Sequence, residues 1–211
     1  MRHLKTQMFN PLSMSAKLLY PKDYNLLKSK LLNISSSELT EDKREILKRL
    51  LISGEDHRFK YHLGFDIIAI FRAIKNRIFY NKIEGASTIE QQLVRVLTND
   101  FEKSLRRKIK EIFLATTLRY IIPRKLIPII YLEVAYYGTN MIGLKAVLSK
   151  LNIQLTDNLT DEKAAEIIAR IKYPEPRMLS SKRIEQISIR KKHLLNLYNN
   201  HKNRKLIKIY G

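Results

Sequence analysis

Apolar positions recur along this chain with the period of a helix, and strict alternation bounded by turn residues appears nowhere convincingly. Ile46, Leu47, Leu50 and Leu51 form one stripe. Thr40, followed by Glu41 and Asp42, supplies the start signal, so a helix is expected to run from there to about Ser53. The same reading predicts helices over residues 65–77, from near Ser87, and over residues 102–122, 125–137, 141–151 and 161–173. Pro123 ends the long one by disfavouring helix at the residue before it, and Thr160 caps the last. In the helix from Ser87, Ile89, Leu93, Val96 and Leu97 make the buried stripe. Pro174 and Pro176 mark a boundary. Beyond it, residues 179–211 hold nine Lys or Arg against one acid, Glu185, which reads as a basic helix with a frayed end, peripheral to the core. The fold class is mainly α: an N-terminal segment (1–39), a single domain (40–178) and a basic C-terminal helical extension (179–211).

Charge narrows the partner classes. A net charge of +20 on 211 residues draws the chain to a polyanion. Nucleic acid, an anionic membrane and a phosphorylated substrate all qualify. The chain has no Cys, which excludes disulfides, thiolate nucleophiles and Cys-ligated metals. Its N-terminus is basic without an apolar run behind it, so no signal peptide is expected. The longest uncharged piece of the most apolar region, Leu126 to Leu132, is far short of the ~20 residues that span a bilayer, so no transmembrane helix is expected.

Three segments carry candidate chemistry. On the helix from Ser87, Thr88, Gln92 and Arg95 share one face, with Ser87 and Gln91 stacked beside them. Gly85 and Ala86 leave the entrance of that helix uncrowded, and its first-turn N–H groups are expected to be open to an anion. A polar solvent face after a Gly turn would read the same way. Arg107 and Lys108 stand four and three residues before Glu111, so the three share a helix surface. That is either an exposed ion-pair face or a pair of cations held for a diphosphate, which arginine's planar fork suits. The adjacent acids Glu55 and Asp56 follow an apolar helix, with Phe59 and His62 close behind. They are candidates for proton transfer, or for plain pairing with Arg58 or Lys60. His57 and His62 lack the spacing of a helical metal pair, so no metal site is expected.

Taken in order, these words resemble the peptidoglycan glycosyltransferases (glycosyltransferase family 51), the transglycosylase module of penicillin-binding proteins and of monofunctional transglycosylases. The resemblance covers residues 40–176 and is carried by Glu55 to Gly64, Gly85 to Arg95, and Arg107, Lys108 and Glu111. Tyr131-Leu132, Tyr136-Tyr137-Gly138, Gly143, Ala146 and Glu162-Lys163-Ala164-Ala165 before Pro174 extend it. It implies a lysozyme-like helical fold that polymerises lipid II into β-1,4 glycan with inversion and release of polyprenyl pyrophosphate. Glu55 would be the general base for the acceptor hydroxyl. Glu111, with Arg107 and Lys108, would steady the departing pyrophosphate. Asp56, Phe59, His62, Ser87, Thr88, Gln91, Gln92 and Arg95 would line the substrate site. No cofactor is required by the sequence, and a divalent cation, magnesium or manganese, is compatible with the chemistry. The resemblance further implies lipid II and the growing glycan as partners, and a peripheral location against the anionic outer face of the cytoplasmic membrane.

The chain departs from the family pattern at Glu90, where Thr is usual, at Val96 and Glu133, where Asn is, and at Arg124, where Lys is; the aromatic-Gly word after Ala146 is absent. Those acids motivate a second reading, a relative that binds lipid-linked glycan without turnover. A glycan hydrolase shares the paired carboxylates. A basic helical nucleic-acid binder would leave the acidic and amide motifs unexplained, so nucleic acid is not the expected partner.

Overall fold

A computed structural model describes residues 11–34, 39–82, 84–154, 158–178 and 180–203. The described residues are mainly α, with ten α-helices and one two-stranded hairpin. They fall into two compact units, each assembled from two stretches of chain: Met1–Asn33 with Leu63–Ile127, and Ile34–His62 with Pro128–Gly211.

The first unit holds α1 (Pro11–Leu19) and α2 (Pro21–Asn33), which the periodicity did not announce. Each opens on a proline, whose fixed φ and missing N–H suit the first helical position. They pack on α5 (Ile89–Thr98) and α6 (Leu105–Ile121). Ala16, Leu27, Leu31, Ile89, Leu93, Val94, Leu97, Leu114 and Leu118 form the core. Val94, rather than the expected Val96, completes the buried stripe of α5; Val96 is half-buried. α6 begins at Ser104, whose hydroxyl accepts from Arg107 N at 3.2 Å, and it stops before Pro123. Asp66 caps α4 (Ile67–Tyr80) by accepting from Ala69 N at 3.1 Å. Of α4 only Ala69 is buried, and Ile67, Ile68, Phe71, Ile74, Ile78, Phe79 and Tyr80 stand exposed. Gly64, at φ +109°, passes so close to α6 that a Cβ would lie 2.7 Å from the Ala115 backbone.

The second unit is built on α3 (Glu41–Glu55), α9 (Asp161–Lys172) and α10 (Ser181–Asn203), which pack on one another. Leu47, Leu50, Leu51, Ile52, Ile167, Ile168, Ile187, Leu194 and Tyr198 fill the space. Thr40 stands at the start of α3 in extended conformation but makes no side-chain cap bond. α3 continues through Gly54, so Glu55 is its last residue instead of following the helix. α7 (Ile127–Val134), shorter than expected, leads into β1 (Tyr136–Gly138), which pairs antiparallel with β2 (Met141–Ile142) before α8 (Leu144–Lys150). This hairpin was not anticipated. It is too short to show alternation, and left-handed Asn140 makes its turn. The hydroxyl of fully buried Tyr137 donates to Leu132 O at 2.9 Å.

The C-terminal basic helix is not peripheral, as its charge suggested. α10 buries Ile187, Arg190, Leu194 and Tyr198 against α3 and α9, because these four recur at helical spacing on one face. The expected frayed end, residues 204–211, lies outside the described residues.

Candidate functional site

In the first unit the cationic and amide words converge on one carboxylate. Glu111 is 1% exposed. Arg95 grips it with both oxygens engaged, Nε to Oε1 at 2.7 Å and Nη2 to Oε2 at 3.3 Å. Arg107, one turn earlier on α6, donates to Oε1 through Nη1. Lys108 Nζ lies 3.6 Å from Oε2. The same ammonium reaches across to α5, donating to Ser87 Oγ at 2.8 Å and Gln91 Oε1 at 3.2 Å. Burial pushes Lys108 below the ordinary lysine range; Arg95 and Arg107 push the same way and Glu111 opposes them. Three cations thus surround one anion, a local surplus of positive charge on half-buried side chains. Ringed this way, Glu111 is a poor ligand for a divalent cation, and the cluster suits an anion better.

The start of α5 is fixed by a reciprocal cap. Thr88 Oγ1 accepts from Gln91 N, and Gln91 Oε1 accepts from Thr88 N, each at 3.2 Å. The expectation that first-turn N–H groups stand open is therefore corrected for Gln91, whose N–H is taken. Thr88 Oγ1 also donates to Gly64 O at 2.7 Å, so the threonine is a structural clamp as well as part of the polar face. Gln91 is fully buried, and its Nε2 has no hydrogen-bond partner among the described residues. Gln92 and Ser87 are half-buried. A Cβ at Gly85 would meet nothing within 4 Å, so packing does not demand glycine there. Glu90, the unusual acid, is buried with Arg124 Nη2 3.8 Å from its carboxylate. Two departures from the family pattern therefore offset each other's charge.

In the second unit the two adjacent acids part company. Asp56 lies beyond the end of α3, with both carboxylate oxygens 3.0 Å from His62 Nε2. A carboxylate only accepts, so that nitrogen carries the proton. Phe59 meets the His62 ring edge-on, with centroids 6.1 Å apart, and holds the imidazole against Asp56. Glu55 turns instead to α10, where Arg190 Nη2 donates to its Oε1 at 2.7 Å. Arg190 is a residue that the sequence reading passed over. Its signal was available: it falls within the helical row of Ile187, Leu194 and Tyr198, where a solvated cation would not belong.

The helices thus bring a buried acid under three cations beside an amide-rich face, an arrangement whose chemistry suits a phosphorylated group. The family model described as transglycosylase matches residues 30–200, and the chain belongs to that family. It is 39% identical over 108 residues to a monofunctional glycosyltransferase of Staphylococcus epidermidis, covering 51% of this chain and 40% of that protein. Over 153 residues it is 29% identical to a biosynthetic peptidoglycan transglycosylase of Thiobacillus denitrificans, covering 72% of this chain and 65% of that protein. It is also 36% identical over 127 residues to penicillin-binding protein 1A of Escherichia coli, covering 60% of this chain and 15% of that protein. The chain thus spans less than two thirds of each of these relatives.

Proposed function

We propose that this protein is a peptidoglycan glycosyltransferase that polymerises lipid II. Glu55 accepts the proton of the acceptor sugar's 4-hydroxyl. The freed oxygen attacks the donor's anomeric carbon from the face opposite the pyrophosphate. As the new bond forms, the bond from that carbon to the phosphate oxygen breaks, which inverts the centre and gives a β-1,4 link. Negative charge then builds on the departing polyprenyl pyrophosphate. Arg95, Arg107 and Lys108 stabilise that charge, while Glu111 keeps the cations aimed and spaced. Half-buried Ser87 and Gln92 offer a hydroxyl and an amide to the substrate, while buried Thr88 and Gln91 hold the start of α5 in place behind them; Asp56, Phe59 and His62 are further substrate-binding residues in this reading.

The single observation that carries this reading is Glu111 buried beneath Arg95, Arg107 and Lys108. A surface ion-pair ladder would be exposed and worth little. Incubating the purified protein with lipid II, with and without magnesium, is expected to give glycan polymer and polyprenyl pyrophosphate. Glu55→Gln is expected to stop it. Wild-type polymer yield from that variant would remove Glu55 from its role. Binding without product would favour the non-catalytic reading, although the Arg124 partner of Glu90 weakens the motive for it.

The membrane partner rests on α4. Its exposed apolar row runs beside exposed Arg72, Lys75 and Arg77, the composition of a helix lying in an anionic lipid interface. No helix among the described residues is long and apolar enough to cross a membrane. Cosedimentation with vesicles containing anionic lipid is expected, weakened by Ile78→Asp with Phe79→Asp. Unchanged sedimentation of that double variant would exclude α4 as the contact.

A further inference from the structure

We propose that Arg190 is a positioning residue for Glu55, brought in by α10 to hold that carboxylate at the end of α3; this rests on the reading of Glu55 as the base. Glu55 sits at a helix C-terminus, where unpaired carbonyls concentrate partial negative charge and a carboxylate is disfavoured. α3 has no basic residue in its last turn to offset this. Arg190, 135 residues away in sequence, brings a cation to this carboxylate. Its Nη2 donates to Glu55 Oε1 at 2.7 Å and to the carbonyl of Gly54 at 2.9 Å, tying the side chain and the helix end together.

The surroundings are shaped for this contact. A Cβ on Gly54 would lie 2.1 Å from Leu194 Cδ2 and 3.2 Å from Arg190 Nη2, so the tips of these two side chains occupy the space that a side chain at position 54 would take. Arg190 is 7% exposed in an otherwise apolar row, and its Nε is buried with no hydrogen-bond partner among the described residues. Burying a guanidinium with one donor unanswered opposes folding. Leucine or methionine would continue the row of Ile187, Leu194 and Tyr198 without that cost. The contact with Glu55 and Gly54 is what the arginine provides and an apolar residue would not. A base must lie within hydrogen-bond reach of the proton it takes, and freezing the glutamate in one rotamer keeps it there.

The test is lipid II polymerisation by Arg190→Met, Arg190→Lys, Arg190→Ala, Leu194→Ala and Glu55→Gln, each with its melting temperature. Arg190→Met should lower kcat about 10- to 100-fold, the penalty of a misplaced reacting group, with KM within about twofold of wild type. Arg190→Lys, whose nitrogen sits roughly one bond short of Nη2, should fall between. Arg190→Ala should regain part of its kcat from millimolar guanidinium. Leu194→Ala should lower the melting temperature yet spare kcat at a temperature where it stays folded. Wild-type kcat in Arg190→Met while Glu55→Gln is inactive would overturn the inference alone, as would a kcat loss in Leu194→Ala equal to that in Arg190→Met with no guanidinium rescue. Full activity of Glu55→Gln would instead overturn the reading of the base. If Arg190→Met is recovered only as aggregate, wild-type kcat in Arg190→Lys decides against the inference.

Discussion

Replacing Glu111 by Gln preserves shape and removes one charge from beneath three cations. In the folded protein Arg95 Nε is 2.7 Å away, Lys108 Nζ is 3.6 Å away, and Arg107 Nη1 bonds the same oxygen as Arg95. At an effective dielectric of about 20, a pair at such distances is worth roughly 5–6 kcal/mol before desolvation is counted. Removing one member of a buried pair costs about 3–5 kcal/mol, because the charge left behind loses its counterion. The three cation side chains keep 27%, 13% and 28% of their surface in contact with solvent, so water relieves part of their repulsion. The lower end, about 3 kcal/mol, is therefore expected. For a chain of this length that lowers the melting midpoint by about 6–12 °C. Thermal unfolding followed by circular dichroism at constant ionic strength measures it. Arg95→Gln, which leaves Glu111 with two cations, should lose well under half as much. A fall of less than about 2 °C in Glu111→Gln would refute the idea that the carboxylate holds the cluster together.

Gly64→Ala forces a left-handed φ of +109° on a residue with a Cβ and drives that Cβ to within 2.7 Å of the Ala115 backbone, so a loss of about 2 kcal/mol or more is expected. An unchanged denaturation midpoint would show that the Gly64–α6 approach is not tight. Lys108 has its pKa lowered by burial, so the unfolded chain binds its proton more readily than the folded one. Its burial penalty is thus fully present below the lowered pKa and is relieved as pH rises toward the ordinary lysine value. Stability of the wild type relative to Lys108→Met should therefore increase with pH across that interval, and a difference that stays flat or falls would contradict the assignment.

Much of the chemistry was legible before any coordinates. Arg107 and Lys108 must share a surface with Glu111, because 3.6 residues per turn bring positions three and four apart together whatever surrounds the helix. The Thr88 start of α5 is equally local, since a hydroxyl at the cap and an amide three residues on satisfy each other within one turn. Such features depend only on neighbours in sequence. The helices at Pro11 and Pro21 were missed because few of their apolar residues are buried, Ala16 in the first and Leu27 and Leu31 in the second, and that burial depends on packing against α5 and α6.

What the amino-acid order determined by itself was a mainly α protein with its acids, amides and cations on known helical faces. Whether those faces were sites or solvated decoration was decided by packing. Only the tertiary structure put Arg95 on Glu111, carried Lys108 across to Ser87, and gave Glu90 a counterion in Arg124. Only the folded chain drew Asp56 to His62 and brought Arg190 to Glu55 from the far end of the sequence. The physical reason is that a charge is buried only where an opposite charge waits. That partner comes from another element, whose arrival is set by the apolar stripe beside it, as Ile187, Leu194 and Tyr198 set Arg190.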